Sequence, residues 1–86
     1  MRKVLFFHTS WCGPCRKAKR DYMDLLAEKY PDKIKQYDAE LYAGMYAKYH
    51  LEHVPAFVLA EGEIAKRIVY GGIDPVELEA WIRDES

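Results

Sequence analysis

Residues 4–15 read VLFFHTSWCGPC. An unbroken apolar run at 4–7 gives way, four residues later, to two cysteines separated by Gly13 and Pro14. A continuous apolar run of this length marks a buried strand, expected here over residues 3–9. Beyond it the period changes. Over residues 12–30, Ala18, Tyr22, Leu25 and Leu26 recur at helical steps, with Arg16, Lys17, Lys19 and Arg20 opposite. The CxxC therefore lies where a strand hands over to a helix, and positions i and i+3 in a first turn share a face, so the two sulfurs can meet.

The rest of the chain alternates in the same way. Pro31 and Asp32 end the first helix. Residues 34–38 alternate apolar and polar, as a strand does. Residues 41–49 carry Tyr42, Met45, Tyr46 and Tyr49 on one helical face, read as core with Met45 packing among the tyrosines. Pro55 opens a third strand, AFVLA, and Gly62 supplies the positive φ of a tight turn into a fourth strand at 64–70. Gly71 and Gly72 end that strand. Asp74-Pro75-Val76-Glu77 is a helix start, with an N-cap acid, proline at the first helical position and an acid in the first turn. Leu78, Trp81 and Ile82 form the buried face of that last helix. The order β-α-β-α-β-β-α gives an α/β fold. Its first two strands flank a helix and are expected parallel, and its last two share a tight turn and must be antiparallel.

Bulk composition narrows the function classes. With 86 residues, 50% hydrophobic and 31% charged, the chain is expected to form a single domain over residues 1–86. A net charge of −1 supplies no global field toward nucleic acid or membrane. The basic run RKAKR at 16–20 is read as the solvated face of the first helix, with Asp21 and Asp24 beside it. The apolar run at 4–7 is too short for a signal-peptide core, and no stretch approaches a membrane span. The expectation is a cytoplasmic monomer that binds neither nucleic acid nor membrane. Two cysteines do not make a disulfide scaffold, and in a reducing compartment a CxxC points to catalysis or metal.

Three readings of the pair compete. As a redox couple, Cys12 sits at a helix N-terminus, the more exposed of the two. Unpaired N–H groups and the helix dipole there favour the thiolate. The thiolate attacks a disulfide, and Cys15 one turn on displaces the product. Pro14 stiffens the turn, and Trp11 offers a flat apolar surface beside the nucleophile. As a structural pair, the cysteines would be small buried hydrophobes or a static bridge. As a zinc site they would need His50 and His53, an HxxH lying far downstream. The redox reading requires no metal and no cofactor.

These residues resemble the thioredoxin family. Trp11-Cys12-Gly13-Pro14-Cys15 matches its active-site motif, and His53-Val54-Pro55 ahead of a strand matches its cis-proline loop. The resemblance implies a thioredoxin-like fold with a mixed four-stranded sheet and three helices. It also implies reduction of oxidised protein substrates through Cys12 and Cys15, with electrons from a thioredoxin reductase or an equivalent donor. Trp11, Gly13, Pro14, Val54, Pro55 and Gly72 would form the substrate surface, Val54 through its backbone N–H and C=O. A glutaredoxin-like or disulfide-forming role is the alternative, because sequence does not fix the potential. A non-catalytic interaction module is a further alternative.

The departures from the family carry information. Only ten residues precede Trp11, so the family's additional first strand and helix are not expected, leaving a minimal core. The family keeps a buried aspartate six residues before the first cysteine, paired with a lysine on the next strand. Here those positions are Phe6 and Ile34. A lone buried charge would be costly, so the two replacements belong together. Deprotonation of Cys15 would then rely on water or another group. His8, four residues before Cys12, is the nearest by sequence, and reads either as a modulator of the thiols or as a half-buried replacement for a family aromatic. His53 is either a substrate contact or a plain loop residue.

Overall fold

The computed structural model describes residues 1–84. Four strands, β1 (Arg2–His8), β2 (Ile34–Asp38), β3 (Ala56–Glu61) and β4 (Ile64–Tyr70), form one sheet in the order β2-β1-β3-β4. β1 pairs parallel with β2 and antiparallel with β3, and β3 pairs antiparallel with β4. The two-residue turn between β3 and β4 has Gly62 at φ 62°, in the left-handed region that glycine enters without steric cost.

β1 is buried on both faces because the sheet is covered on both. Val4 and Phe6 point to one side, where they join Phe57 and Leu59 of β3 and meet Cys15, Ala18, Met23, Leu26, Leu78 and Ile82 from the helices. Leu5 and Phe7 point to the other side with Ala56, Val58 and Ala60, under Leu51, Met45, Tyr46 and Tyr49. The small alanines of β3 face the tyrosine-bearing helix, so bulky rings and short side chains interdigitate.

The first helix runs without a break but not with one geometry. It comprises α1 (Gly13–Ala18), a π-helical segment (Lys19–Met23) and α2 (Asp24–Lys29). A π segment inserts one extra residue into the turn, and the face that continues to the core advances by one. Cys15 and Ala18 are buried before it, Met23 and Leu26 after it. This corrects the expected buried face: Leu25 is 72% exposed, and Met23 is fully buried in its place. Tyr30 leaves helical geometry before Pro31, as the proline requires.

The next helix, α3 (Ala43–Lys48), is shorter than the expected 41–49 and has no fully buried residue. Met45, Tyr46 and Tyr49 are partly buried against the sheet, whereas Tyr42 is 47% exposed and packs edge-on against Tyr37. The stripe is core on three of its four members. The last helix, α4 (Pro75–Ile82), starts where the sequence placed it, with the Asp74 carboxylate accepting from the Val76 N–H at 2.9 Å. Glu79 of α4 accepts from Lys29 Nζ and Tyr30 Oη, both at 2.6 Å, tying α4 to the end of α2. These bonds hold the Glu79 carboxyl below its usual range, the lysine contributing most.

Replacing the cap, Asp74→Ala, is expected to cost about 1 kcal/mol, and to lower the melting temperature by roughly 4–8 °C in a domain of this size. Urea and thermal unfolding followed by circular dichroism check both.

Candidate functional site

The sheet register assembles the site. Phe7 is opposite Ala56, and Ala56 is opposite Tyr70, so the end of β1, the start of β3 and the end of β4 lie in one row. The segments running off that row carry WCGPC, His53-Val54-Pro55 and Gly71-Gly72. The sequence separates them by about forty and sixty residues, and the antiparallel pairing brings them to one end of the molecule.

Cys12 is the N-cap of α1 and Cys15 lies in its first turn. They are joined by a disulfide, with Cα atoms 5.2 Å apart. The Cys15 N–H donates to Cys12 Sγ at 3.1 Å, and the Arg16 N–H to the Cys12 carbonyl at 3.2 Å. An N–H aimed at the first sulfur stabilises negative charge there once the bridge is opened. Cys12 is 5% exposed and Cys15 1%, so the expected order of exposure holds but both residues are largely covered. Trp11 beside them is 67% exposed, an unusual position for so large an apolar ring.

The Val54–Pro55 peptide bond is cis. The Pro55 carbonyl accepts from the Gly71 N–H at 3.0 Å, which fastens the proline loop to the glycine rim. Gly71 holds φ 87°, a conformation only glycine adopts cheaply. The Val54 side chain packs on both core clusters, and neither its N–H nor its C=O has a partner among the described residues. Two clefts flank the bridge. One, of about 460 Å³, lies between Trp11 and Val54. The other, of about 210 Å³, lies between Pro14 and the rim, where Gly72 faces the Tyr22 hydroxyl.

Phe6 and Ile34, standing at the positions of the family's ionic pair, are 0% and 4% exposed and share the cluster that receives Cys15. Phe6 stacks on Phe57, with ring centroids 5.0 Å apart, and the His8 ring is tilted against Phe6 at 5.4 Å. His8 is half-buried. Burial lowers its pKa first, and the Lys19 ammonium lowers it further, against smaller opposing effects of Asp38 and Asp24. The basic run on the helix is engaged: Lys17 and Arg20 pair with Asp21, and Lys19 with Asp24 and Gln36. His50 and His53 are not gathered with the cysteines into a metal cluster among the described residues. His53 instead sets its ring edge-on to Tyr70 at 5.4 Å.

Sequence reasoning missed several residues here. Thr9 is buried at the end of β1, and Glu40, Tyr46 and Glu52 line the cleft beside Trp11. The Tyr22 hydroxyl accepts from the Ile73 N–H at 3.3 Å, supporting the rim from below. Tyr22 was visible as a member of the first helix's inner face; nothing in the spacing linked residues 40 and 52 to Trp11.

A mixed parallel and antiparallel sheet flanked by helices, with a CxxC disulfide at a helix N-terminus and a cis-proline loop at the same end, is a thioredoxin-like arrangement. The Thioredoxin family model matches residues 2–84, and the chain belongs to that family. "Thioredoxin-3, mitochondrial" of Saccharomyces cerevisiae is 30% identical over 83 residues, covering 94% of this chain and 63% of its own. "Thioredoxin H-type" of Fagopyrum esculentum is 38% identical over 68 residues, covering 77% and 58%. The chain thus spans about three fifths of the length of these curated relatives. The crystal structure of oxidised mitochondrial thioredoxin 3 from Saccharomyces cerevisiae matches with a TM-score of 0.75 at 25% identity, over 96% of this chain and 77% of that one. No helix among the described residues is long and apolar enough to cross a membrane.

Two outcomes follow from the floor and its neighbour. Phe6→Asp places an unpaired carboxylate in the buried cluster and is expected to destabilise by at least about 3 kcal/mol in urea unfolding, with Ile34→Lys in the same chain recovering part of the loss. For His8 the folded-state pKa lies below the unfolded one. The unfolded chain therefore takes up a proton near pH 6.5 that the folded chain does not, and stability falls as pH drops below about 6.5. Unfolding midpoints between pH 7.5 and 5 should show that decline, and His8→Gln should flatten it.

Proposed function

We propose that the chain is a protein-disulfide reductase in which Cys12 is the nucleophile and Cys15 the resolving thiol. The observation that carries this reading is the Cys12–Cys15 bridge at the N-terminus of α1, opposite a cis-proline loop whose Val54 backbone has no partner among the described residues. In the reduced protein the Cys12 thiolate, favoured by the Cys15 N–H, attacks one sulfur of a substrate disulfide. A Cys12–substrate disulfide forms and the other substrate sulfur leaves as a thiolate. Cys15 then attacks Cys12 Sγ, closing the internal bridge and releasing the second substrate thiolate. Two electrons pass to the substrate, and both of its thiolates end protonated.

Val54 would pair with the substrate backbone as an added strand does. Trp11, Gly13, Pro14, Pro55 and Gly72 would shape the surface around it. The apolar floor at Phe6 leaves Cys15 without the family's carboxylate, so water or the departing substrate thiolate would take its proton. A thioredoxin-reductase-type donor would return the two electrons, in a reducing compartment such as the cytoplasm. Oxidised proteins would be the acceptors, met by a monomer.

Insulin-disulfide reduction driven by dithiothreitol tests this directly. The wild-type chain should accelerate precipitation of the insulin B chain, Cys12→Ser should lower the rate at least about a thousandfold, and Cys15→Ser should accumulate a mixed disulfide visible by mass spectrometry. A wild-type chain no faster than dithiothreitol alone would overturn the proposal.

A further inference from the structure

The cleft between Trp11 and the proline loop, about 460 Å³, holds groups that the exchange itself does not use. Thr9 on its wall is only 4% exposed, and its Oγ1 has no hydrogen-bond partner among the described residues. A buried hydroxyl left unsatisfied is uncommon and costly, and is satisfied when a polar group arrives. Glu40 and Glu52 also line the cleft, and neither carboxylate takes part in an ion pair among the described residues. No lysine or arginine lines it. Glu52 is held with its backbone N–H donating to the Tyr70 hydroxyl at 3.2 Å. Its carboxylate is close enough to Tyr46 to help keep that phenol protonated, after burial and Tyr70.

The opposite side of the bridge differs. There Lys17, Lys19 and Arg20 pair with Asp21 and Asp24, while Arg16, whose Nη1 donates to the Ser10 carbonyl at 2.9 Å, has no carboxylate partner among the described residues. The four cations there outnumber their two carboxylates, whereas the charge lining the Trp11 cleft itself is negative. The other walls are the Trp11 and Tyr46 rings, Ala39, Val54 and the His53 imidazole, whose ring is set edge-on to Tyr70. A long aliphatic stem ending in a cation matches both features, its methylenes along the rings and its head at the carboxylates.

We propose that this cleft is a specificity site that receives a lysine or arginine side chain next to the reacting cysteine of the oxidised protein substrate. The inference rests on the disulfide-reductase reading and adds a substrate class to it. Glu40 and Glu52 are binding residues for that cation.

The test uses the chain carrying Cys15→Ser, so that a single exchange step is read. Two peptides, each with one cysteine activated as its thionitrobenzoate mixed disulfide, differ only in having lysine or glutamate on both sides of that cysteine. Cys12 thiolate attacks the peptide sulfur, the S–S bond to thionitrobenzoate breaks, and the coloured thiolate leaves with the electron pair and is counted by absorbance. At low salt the lysine peptide should react about fivefold faster than the glutamate peptide, the scale of one or two partly exposed ion pairs. Glu40→Gln with Glu52→Gln should bring the ratio to near one, and 0.5 M salt should do the same to the parent protein. Equal rates in the parent, or a preference that survives both carboxamide substitutions, overturn the specificity site and leave the reductase reading standing. A Cys12 that reacts with neither peptide overturns the nucleophile assignment, and the specificity site with it.

Discussion

The pairing of β1 with β3 is the constraint on which the rest depends. β1 ends at His8, five residues before α1 begins, and β3 begins immediately after the cis-proline. Running these two strands antiparallel with Phe7 opposite Ala56 fixes where the bridge and the proline loop meet. A slip of one residue would turn Val4 and Phe6 out of the helix-covered face and send Leu5 and Phe7 into it. That slip is resisted because both faces are filled: Phe57 and Leu59 need the space beside the helices, while Ala56, Val58 and Ala60 leave room for the rings of α3. The site geometry is thus held by hydrocarbon packing several residues away from either sulfur.

The same packing separates rigid from responsive parts. Cys15 is locked in the larger cluster with Phe6, Ile34 and Met23, whereas Cys12 caps the helix at the cluster's rim. The Gly71 N–H bond to the Pro55 carbonyl joins rim and loop into one wall, and Tyr22 props that wall through Ile73. An approaching backbone therefore meets a braced wall on which the Val54 N–H and C=O have no partner among the described residues. Shape and unmet hydrogen-bonding capacity point to the same place.

Much of this was legible in the sequence because the signals were local. The run VLFF could only be a buried strand, Asp74-Pro75 could only begin a helix, and Gly62 could only be a turn. WCGPC and His53-Val54-Pro55 announced themselves through a family resemblance, and the register placed them face to face. What escaped was set by long-range or subtle geometry. Helical spacing assumed 3.6 residues per turn throughout, so the π segment hid the exchange of Leu25 for Met23 on the inner face. Tyr42 joined the tyrosine stripe by spacing, but α3 starts at Ala43 and leaves it outside. Glu40 and Glu52 reach the Trp11 cleft from opposite ends of α3, an encounter no linear pattern encodes.

The apolar floor beneath the bridge has a further meaning. Phe6 and Ile34, buried in the cluster that receives Cys15, stand where the family keeps an acid and an amine. Neither hydrocarbon side chain can store or release a proton. Hydrogen ions that an acid at that depth would have handled are left to groups nearer the surface and to solvent.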